Sequence, residues 1–218
     1  MADTLYIVNL KHYRNAVGRS FRSFMESMGR FRHVENVVFA IPHVNFPDAH
    51  AMDGFRFFAQ DIDPPSGFGA YTGSVSMDVA MEYGISGTLL NHSERRVSDE
   101  RIASVVQRAA SLSFDVVLCA RDAEEVRRFS SLNCRYIAYE PPPELIGGNI
   151  SVSTARPEVI RQAVEIARAS GKSLLVGAGI KSRGDVEKSI DLGASGILVA
   201  SGVVLANSPP DALSSLIV

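Results

Sequence analysis

Short apolar runs recur along the chain at intervals that predict eight β-strands. The runs are rich in Val, Ile, Leu and Phe, and they cover residues 4–8, 36–41, 56–60, 87–90, 115–119, 135–139, 173–177 and 196–200. Several are apolar almost throughout, with no alternation of polar and apolar positions. This pattern favours parallel strands that are covered on both faces.

The segments between these runs show the helical period. Apolar residues at helical spacing form stripes over residues 17–28, 102–110 and 159–167. Asp122, with Glu125 three residues later, resembles a capping pair at a helix start. Gly171 and Gly193 lie where two helices should end. The predicted order is therefore strand, helix, strand, helix along the chain.

An internal repeat narrows the fold class. Residues 84–90 (GISGTLL) resemble residues 193–199 (GASGILV), and half of the 218-residue chain separates them. In a barrel of eight units, half of the units separate strands four and eight. A doubly wound open sheet is the alternative, but residues 9–12 (NLKH) are not the Gly-rich turn that it would carry after its first strand. We predict an α/β fold, a (β/α)8 TIM barrel, as a single catalytic domain over residues 1–218.

Composition and charge exclude several classes of partner. Lysine and arginine number 22 against 24 aspartates and glutamates, for a formal net charge of −2, and no basic block indicates a nucleic acid partner. No apolar run approaches the ~20 residues that span a bilayer, so no membrane partner is expected. Cys119 and Cys134 share no metal-ligand spacing, which predicts two reduced, buried thiols and no metal. We expect a cytoplasmic protein.

The ends of the predicted strands are the places to look for chemistry, because reactive groups of such barrels follow the strands. The first strand ends in Asn9-Leu10-Lys11, where a spacing of two sends Asn9 and Lys11 to the same side. An ammonium group there could neutralise a phosphate or a developing oxyanion. The alternative is a turn with a solvated lysine.

A histidine follows the fourth strand, in residues 91–96 (NHSERR). We expect Ser93 to cap the next helix, which would place His92 near the positive end of that helix. A ring in that position stays neutral and donates a hydrogen bond. His43, after the second strand, is the competing histidine.

A carboxylate follows the sixth strand, at Glu140. A partly desolvated carboxylate in that place suits a general base, although an extended residue before a proline is the plainer alternative. Residues 141–149 (PPPELIGGN) combine three prolines with two glycines, a composition suited to a loop that moves as a unit.

Small residues end the last two strands, at 177–180 (GAGI) and 200–203 (ASGV). They allow backbone N–H groups to approach an anion, and these two loops form the usual phosphate cradle of a barrel. Cys119, at the end of the fifth strand, has no base placed to activate it, so we predict a packed thiol.

Together, and in this order, these residues resemble the triosephosphate isomerase family, and in loop detail its short archaeal form. The resemblance covers nearly the whole chain. The motifs that carry it are Asn9-x-Lys11, Ala59-Gln60, 69–73 (GAYTG), 90–96 (LNHSERR), Tyr139-Glu140-Pro141, 177–180 and 200–202. One departure is the loop after Glu140, where a third proline is added and Gly148-Asn149 replaces Thr-Gly.

The resemblance implies an isomerase that interconverts dihydroxyacetone phosphate and D-glyceraldehyde 3-phosphate through an enediolate, in glycolysis and gluconeogenesis. It implies Glu140 as the catalytic base, His92 as the electrophile, and Lys11 and Asn9 as the other catalytic residues. The substrate-binding residues that it implies are Asn9, Leu10, Lys11, Ile146, Gly179, Ala200, Ser201 and Gly202. No metal and no organic cofactor is implied.

The resemblance also implies a homo-oligomer. The loop over residues 69–73 would enter a neighbouring subunit and bring Thr72 to its active site, so a homodimer is the minimum and a homotetramer the alternative. Two other functions stay open. Another phosphate-binding barrel, such as a pentose-phosphate epimerase, would show a metal site of histidines and aspartates at its strand ends, and a non-catalytic homologue would bind phosphate without turnover.

Overall fold

Eight parallel strands close into a barrel in chain order, and β8 pairs with β1. The structure, a computed structural model, describes residues 4–64, 67–142 and 156–218. The strands are β1 (Leu5–Asn9), β2 (Val37–Ile41), β3 (Arg56–Ala59), β4 (Gly87–Leu90), β5 (Asp115–Ala120), β6 (Tyr136–Tyr139), β7 (Ser173–Val176) and β8 (Gly196–Val199). Each agrees with its predicted run to within one residue at either end. The TIM barrel prediction is confirmed, and the open sheet is excluded.

Helices follow the strands and pack on the outside of the barrel. Those in the described residues are α1 (Phe21–Ser27), α2 (Phe46–His50), α3 (Met77–Glu82), α4 (Asp99–Leu112), α5 (Ala123–Ser130), α6 (Pro157–Ala169), α7 (Arg183–Asp191), α8 (Ser201–Val204) and α9 (Pro209–Leu216). Short 3-10 helices lie at Gly18–Ser20, Gly29–Phe31 and His43–Asn45. None of the helices in this part of the chain is long and apolar enough to cross a bilayer.

The alternation of side chains along each strand divides the apolar residues into two cores. In β1, Leu5 and Ile7 lie in the core inside the barrel, whereas Tyr6 and Val8 lie in the larger core between the strands and the helices. Since successive side chains of a strand point to opposite faces, Asn9 continues the inward series. The apolar series of β1 therefore sets which polar side chain reaches the open end of the barrel.

The internal repeat corresponds to β4 and β8, which are half of the barrel apart. Each of these strands begins with a glycine at a close approach. A Cβ added to Gly87 would lie 2.6 Å from the Phe58 ring, and one added to Gly196 would lie 2.1 Å from the Leu5 carbonyl oxygen. Because no side chain fits at either place, both halves of the repeat keep glycine there.

The helix ends follow the predicted signals at three positions. Gly171 and Gly193 adopt positive φ angles of 69° and 96°, each two residues after the end of its helix, α6 or α7. The Asp122 side chain caps α5 by accepting a hydrogen bond from the Glu125 backbone N–H. The prediction that Ser93 caps a helix was wrong. The helix after β4 begins only at Asp99, and its cap is Ser98.

Candidate active site

The ends of β1, β4 and β6 bring the predicted catalytic side chains to one cavity of about 450 Å³. Asn9, Lys11, His92 and Glu140 all line it. Two of the other predicted residues, Gly179 and Ala200, line it as well. The Leu10 side chain is fully buried in the outer core, so Leu10 can reach a ligand only through its backbone. Ile146 lies outside the described residues.

Lys11 enters this cavity from a left-handed backbone conformation, with φ of 45°. Such a conformation is costly for a residue with a side chain and persists only where the surroundings enforce it. Here the Asn9 side-chain oxygen accepts a hydrogen bond from the Lys11 N–H at 3.0 Å, and the Gln60 amide donates to the Lys11 carbonyl at 3.2 Å. The residues around Lys11 therefore fix the direction of its ammonium group.

The Lys11 ammonium donates to the Glu94 carboxylate over 2.6 Å. Burial alone would raise the pKa of Glu94, but the hydrogen bond and positive charge of Lys11 outweigh it and lower that pKa below its ordinary value. The Glu94 side chain is 63% exposed. The pair therefore holds the ammonium beside the cavity and leaves it accessible to an incoming anion.

His92 is held in one tautomer by the backbone of its own turn. The Glu94 backbone N–H donates to His92 Nδ1 over 3.1 Å, so this nitrogen carries no proton. The ring is then neutral, with its proton on Nε2, and Nε2 lies 3.4 Å from Glu140 Oε1. A neutral histidine was expected from a helix N-terminus, but the cause here is this hydrogen bond.

Glu140 directly follows β6 and continues its inward series, after Tyr136 and Ala138 in the inner core. The residue is 8% exposed. Its Oε2 atom is buried and has no hydrogen-bond partner among the described residues. An acceptor oxygen that is removed from water and left unpaired is ready to take a proton from a bound molecule.

Gly177 gives Glu140 its space, a role that the sequence analysis did not assign to it. A Cβ at this position would lie 2.6 Å from Glu140 Cγ and 3.0 Å from Oε1. No other residue type fits there while Glu140 keeps its place. Cross-strand registration could have suggested this, because Tyr139 pairs with Val176, the residue before Gly177.

Cys119, a fully buried residue of β5, contacts the same carboxylate. Burial raises the pKa of the Cys119 thiol well above its ordinary value, and the negative charge of Glu140 and a hydrogen bond with it raise it further. The thiol therefore stays protonated. Both cysteines are free and buried, as predicted. The packed thiol was predicted, but its contact with the base was not.

An adjoining cavity of about 370 Å³ contains the predicted phosphate cradle. Lys11, Gly179, Ala200, Ser201 and Gly202 line it, so the ends of β7 and β8 face the same cavity as the lysine from β1. The cavity also has a second lysine in its wall, Lys181, which sequence analysis missed. Its signal was a basic residue directly after the GAGI motif.

A third cavity, of about 570 Å³, opens on the other side of Lys11. His43 lies there, with Nε2 2.6 Å from the Asp61 carbonyl oxygen, and it does not line the cavity that holds Glu140. The Asp61 carboxylate contacts Arg95 and Arg101 at 2.8 and 2.6 Å, yet burial outweighs both and raises its pKa. In the described part of the chain, no three His, Cys, Asp or Glu side chains are grouped to hold a metal ion.

Comparison with known proteins gives one consistent result. A family model described as triosephosphate isomerase matches residues 4–216. A triosephosphate isomerase of Thermoplasma volcanium is 47% identical over 97% of this chain and 98% of its own length. Those of Cenarchaeum symbiosum and Archaeoglobus fulgidus are 42% and 37% identical, and each match covers at least 95% of both chains.

Proposed function

The chain belongs to the triosephosphate isomerase family, and on that premise we propose which of its side chains interconvert dihydroxyacetone phosphate and D-glyceraldehyde 3-phosphate. Glu140 moves the carbon-bound proton, His92 and Lys11 stabilise the charge that develops, and Asn9 orients Lys11. The observation that carries the proposal is the Glu140 carboxylate, which is buried and lies 3.4 Å from His92, with an Oε2 that no described residue hydrogen-bonds. A glutamate base beside a neutral histidine is the established pattern of this family.

The reaction is one proton transfer out and one back. Glu140 removes a proton from C1 of dihydroxyacetone phosphate, and the electrons of that C–H bond form the C1=C2 bond of an enediolate. The carbonyl oxygen gains negative charge and accepts a hydrogen bond from His92 Nε2–H. Glu140 then returns its proton to C2, while the hydroxyl proton passes from O1 to O2 by way of His92. The product is the aldehyde, and no atom is gained or lost.

The positive charge of Lys11 acts on both ends of the substrate. Lys11 lines the cavity of Glu140 and also the cradle formed by Gly179, Ala200, Ser201 and Gly202. An ammonium between these cavities would attract the phosphate dianion and offset the charge of the enediolate. We propose that backbone N–H groups of the cradle bind the phosphate, together with the N–H of Ile146, which lies outside the described residues.

The test is a coupled assay of the purified protein with D-glyceraldehyde 3-phosphate and no added metal. Glu140→Gln keeps the shape of the side chain but removes the base, so kcat should fall by about 10³-fold with KM within a few-fold. Glu158→Gln, which changes a carboxylate at the exposed start of α6, is the matched control and should keep wild-type turnover.

Other outcomes of this assay would contradict the proposal. Wild-type turnover by Glu140→Gln would remove Glu140 from its role. Turnover of a pentose phosphate in place of the triose, and only with added metal, would favour the epimerase alternative. Binding of a phosphorylated ligand without any turnover would favour the non-catalytic homologue.

We also propose that the protein is a homodimer at least, with a homotetramer as the alternative. Phe68 and Tyr71, on the loop that carries Thr72, are 71% and 45% exposed. The 570 Å³ cavity beside Lys11 has the 64% exposed Val44 in its wall. The loop of a second copy would cover these apolar groups and bring Thr72 close to Lys11.

Light scattering should give at least twice the chain mass for the wild-type protein, and Tyr71→Asp should lower that mass. A monomeric wild-type protein with full activity would contradict the proposed oligomer.

The cellular setting follows from the substrates. Both are small charged phosphate esters, and we propose that the protein exchanges them in the cytoplasm, in glycolysis and gluconeogenesis. Cell fractionation should recover the isomerase activity with cytoplasmic markers. Activity in the membrane fraction would contradict the location.

A further inference from the structure

We propose that Arg96 is a positioning residue for the reaction. It holds the turn that carries His92 and the end of β5, whose Cys119 contacts Glu140, in one fixed arrangement. The arginine acts through backbone carbonyl groups and through a buried carboxylate, Glu125. The proposal rests on the roles proposed above for His92 and Glu140.

One guanidinium nitrogen makes the contacts that carry this inference. Arg96 Nη1 donates to the Asn91 carbonyl at 3.1 Å, to the Cys119 carbonyl at 3.2 Å and to Glu125 Oε2 at 3.0 Å. The Asn91 carbonyl belongs to the peptide group that leads into His92. Cys119 has its thiol against Glu140. Arg96 therefore ties the strand end that carries the electrophile to the strand end that supports the base.

Asn91 needs such a restraint. Its φ of 62° is left-handed and the residue is 3% exposed, so the turn that presents His92 starts from a strained, buried conformation. The Asn91 side chain accepts from the Val97 N–H at 3.2 Å and donates to the Cys119 carbonyl at 3.1 Å. Arg96 donates to the Asn91 carbonyl oxygen. The side-chain nitrogen, the side-chain oxygen and the backbone carbonyl of Asn91 therefore each have a hydrogen-bond partner. A change in any of them would tilt the peptide plane before His92.

Because Arg96 pairs with Glu125, its proposed role is to fix geometry and not to supply charge to the substrate. Glu125 is 7% exposed and lies beside the Arg96 guanidinium, so the positive charge of Arg96 is largely neutralised where it lines the cavity. A neutralised arginine adds little attraction for a phosphate dianion, whereas Lys11 lines both the cavity of Glu140 and the cradle. An arginine is required because its Nη1 lies one bond farther from the backbone than a lysine Nζ, so the ammonium of a lysine at this position stops short of the three acceptors. Loss of Arg96 should therefore appear in kcat and not in KM.

The main experiment compares Arg96→Met with a matched control, Arg128→Met. Arg128 also lies near Glu125, at 3.6 Å, and pairs with the exposed Asp99, but the structure gives it no contact with either strand-end carbonyl. Arg96→Met should lower kcat by about tenfold to hundredfold with KM within threefold, the cost of a misplaced catalytic group. Arg128→Met should keep kcat within twofold of the wild type.

Arg96→Lys separates geometry from charge and serves if Arg96→Met does not fold. The lysine keeps a positive charge beside Glu125 but cannot reach both carbonyl groups, so kcat should lie between those of the wild type and Arg96→Met. Wild-type kcat in Arg96→Lys would overturn the proposal. So would wild-type kcat in Arg96→Met, an equal loss in Arg128→Met, or a loss that appears only in KM.

A second readout does not depend on activity. The ¹⁵N signals of the His92 ring distinguish a protonated from an unprotonated nitrogen, and the wild type should show a proton on Nε2 alone. In Arg96→Met the Nδ1 signal should shift as its hydrogen bond weakens, whereas in Arg128→Met it should not. Unchanged signals in both variants would overturn the proposal for Arg96. This outcome does not depend on whether Glu140→Gln confirms the role of the base.

Discussion

Two carboxylates near the candidate active site are buried to a similar degree but differ in their hydrogen-bond and ion-pair partners. Glu140 is 8% exposed and Glu125 is 7% exposed. Glu125 accepts from Arg96 Nη1 and the Arg121 N–H, both at 3.0 Å, and lies 3.3 Å from Arg121 Nε and 3.6 Å from Arg128. Among the residues that the structure describes, the Glu140 carboxylate contacts His92 Nε2 at 3.4 Å and the Cys119 thiol, and its Oε2 has no hydrogen-bond partner. Burial alone therefore does not set the role of a carboxylate here; its partners do.

The different partners of Glu125 and Glu140 give these two buried carboxylates different effects on the stability of the fold. A buried carboxylate is stable when cations and N–H groups surround it, and costly when they do not. The cations near Glu125 make it part of the scaffold. Glu140 has no cationic partner among the described residues, and its Oε2 is left without a hydrogen bond. Left-handed backbone occurs at Lys11 and Asn91, next to this carboxylate, and also at His33 and Ser113 away from it.

The sharpest test of this comparison is a matched pair of substitutions measured by unfolding in denaturant. Glu125→Gln removes the charge that several arginines share, and we expect the free energy of unfolding to fall by about 3 kcal/mol, as for other broken buried ion pairs. Glu140→Gln removes a charge that has no cationic partner in the described ranges of the chain, so that free energy should change by less than about 1 kcal/mol.

Equal losses in the two variants would contradict the comparison, since they would show that burial and not pairing decides stability. The same would follow if Glu140→Gln were the less stable of the two. Circular dichroism on both variants verifies that each remains folded at the start of the titration.

The second prediction breaks the site while leaving Glu140 in the sequence. In Gly177→Ala the new methyl group would lie 2.6 Å from Glu140 Cγ, so the carboxylate must move away. A displacement near 1 Å can cost about 10²-fold in rate, and we expect kcat to fall by about that factor. The control is Gly184→Ala in α7, where the nearest neighbour, Ser182 Oγ, is 3.8 Å from the added atom. Full activity in Gly177→Ala would show that the carboxylate has freedom to shift.

The barrel could be predicted from the sequence because its determinants are local. Each strand is a short apolar run, and apolar stripes at helical spacing predicted helices over 17–28, 102–110 and 159–167, so the eight strand ends follow directly. The residues at those ends, such as Asn9 and Lys11, were identified by the same alternation. The glycines of the internal repeat also had a local signature, although the reason for them is a contact with a neighbouring strand.

The contacts that tune the site could not be predicted because they join residues far apart in the chain. Arg96 and Glu125 are 29 positions apart, and no spacing or motif around either residue predicts that they form a pair. The neutral state of His92 was predicted for the wrong reason, since Ser93 caps no helix and the decisive hydrogen bond comes from the Glu94 N–H. The role of Ile146 stays a prediction, because that residue lies outside the described ones.

The smallest expected effect comes from a third carboxylate, Glu94, which is exposed and has one cationic partner. Its pKa is lowered from 4.5 mainly because Lys11 offsets the effect of burial. A carboxyl group whose pKa is lower in the folded state stabilises the protein above its unfolded pKa, and that contribution is lost as the pH falls through the folded pKa. Glu94→Gln should therefore cost about 0.5 kcal/mol at pH 7, and the difference from the wild type should shrink as the pH falls below 4.5 and through the lower pKa of the folded state. The substitution keeps the backbone N–H that holds His92. Chemical denaturation of both proteins between pH 3 and pH 7 measures the difference, and a loss above about 2 kcal/mol would show that exposure does not weaken this pair as it should.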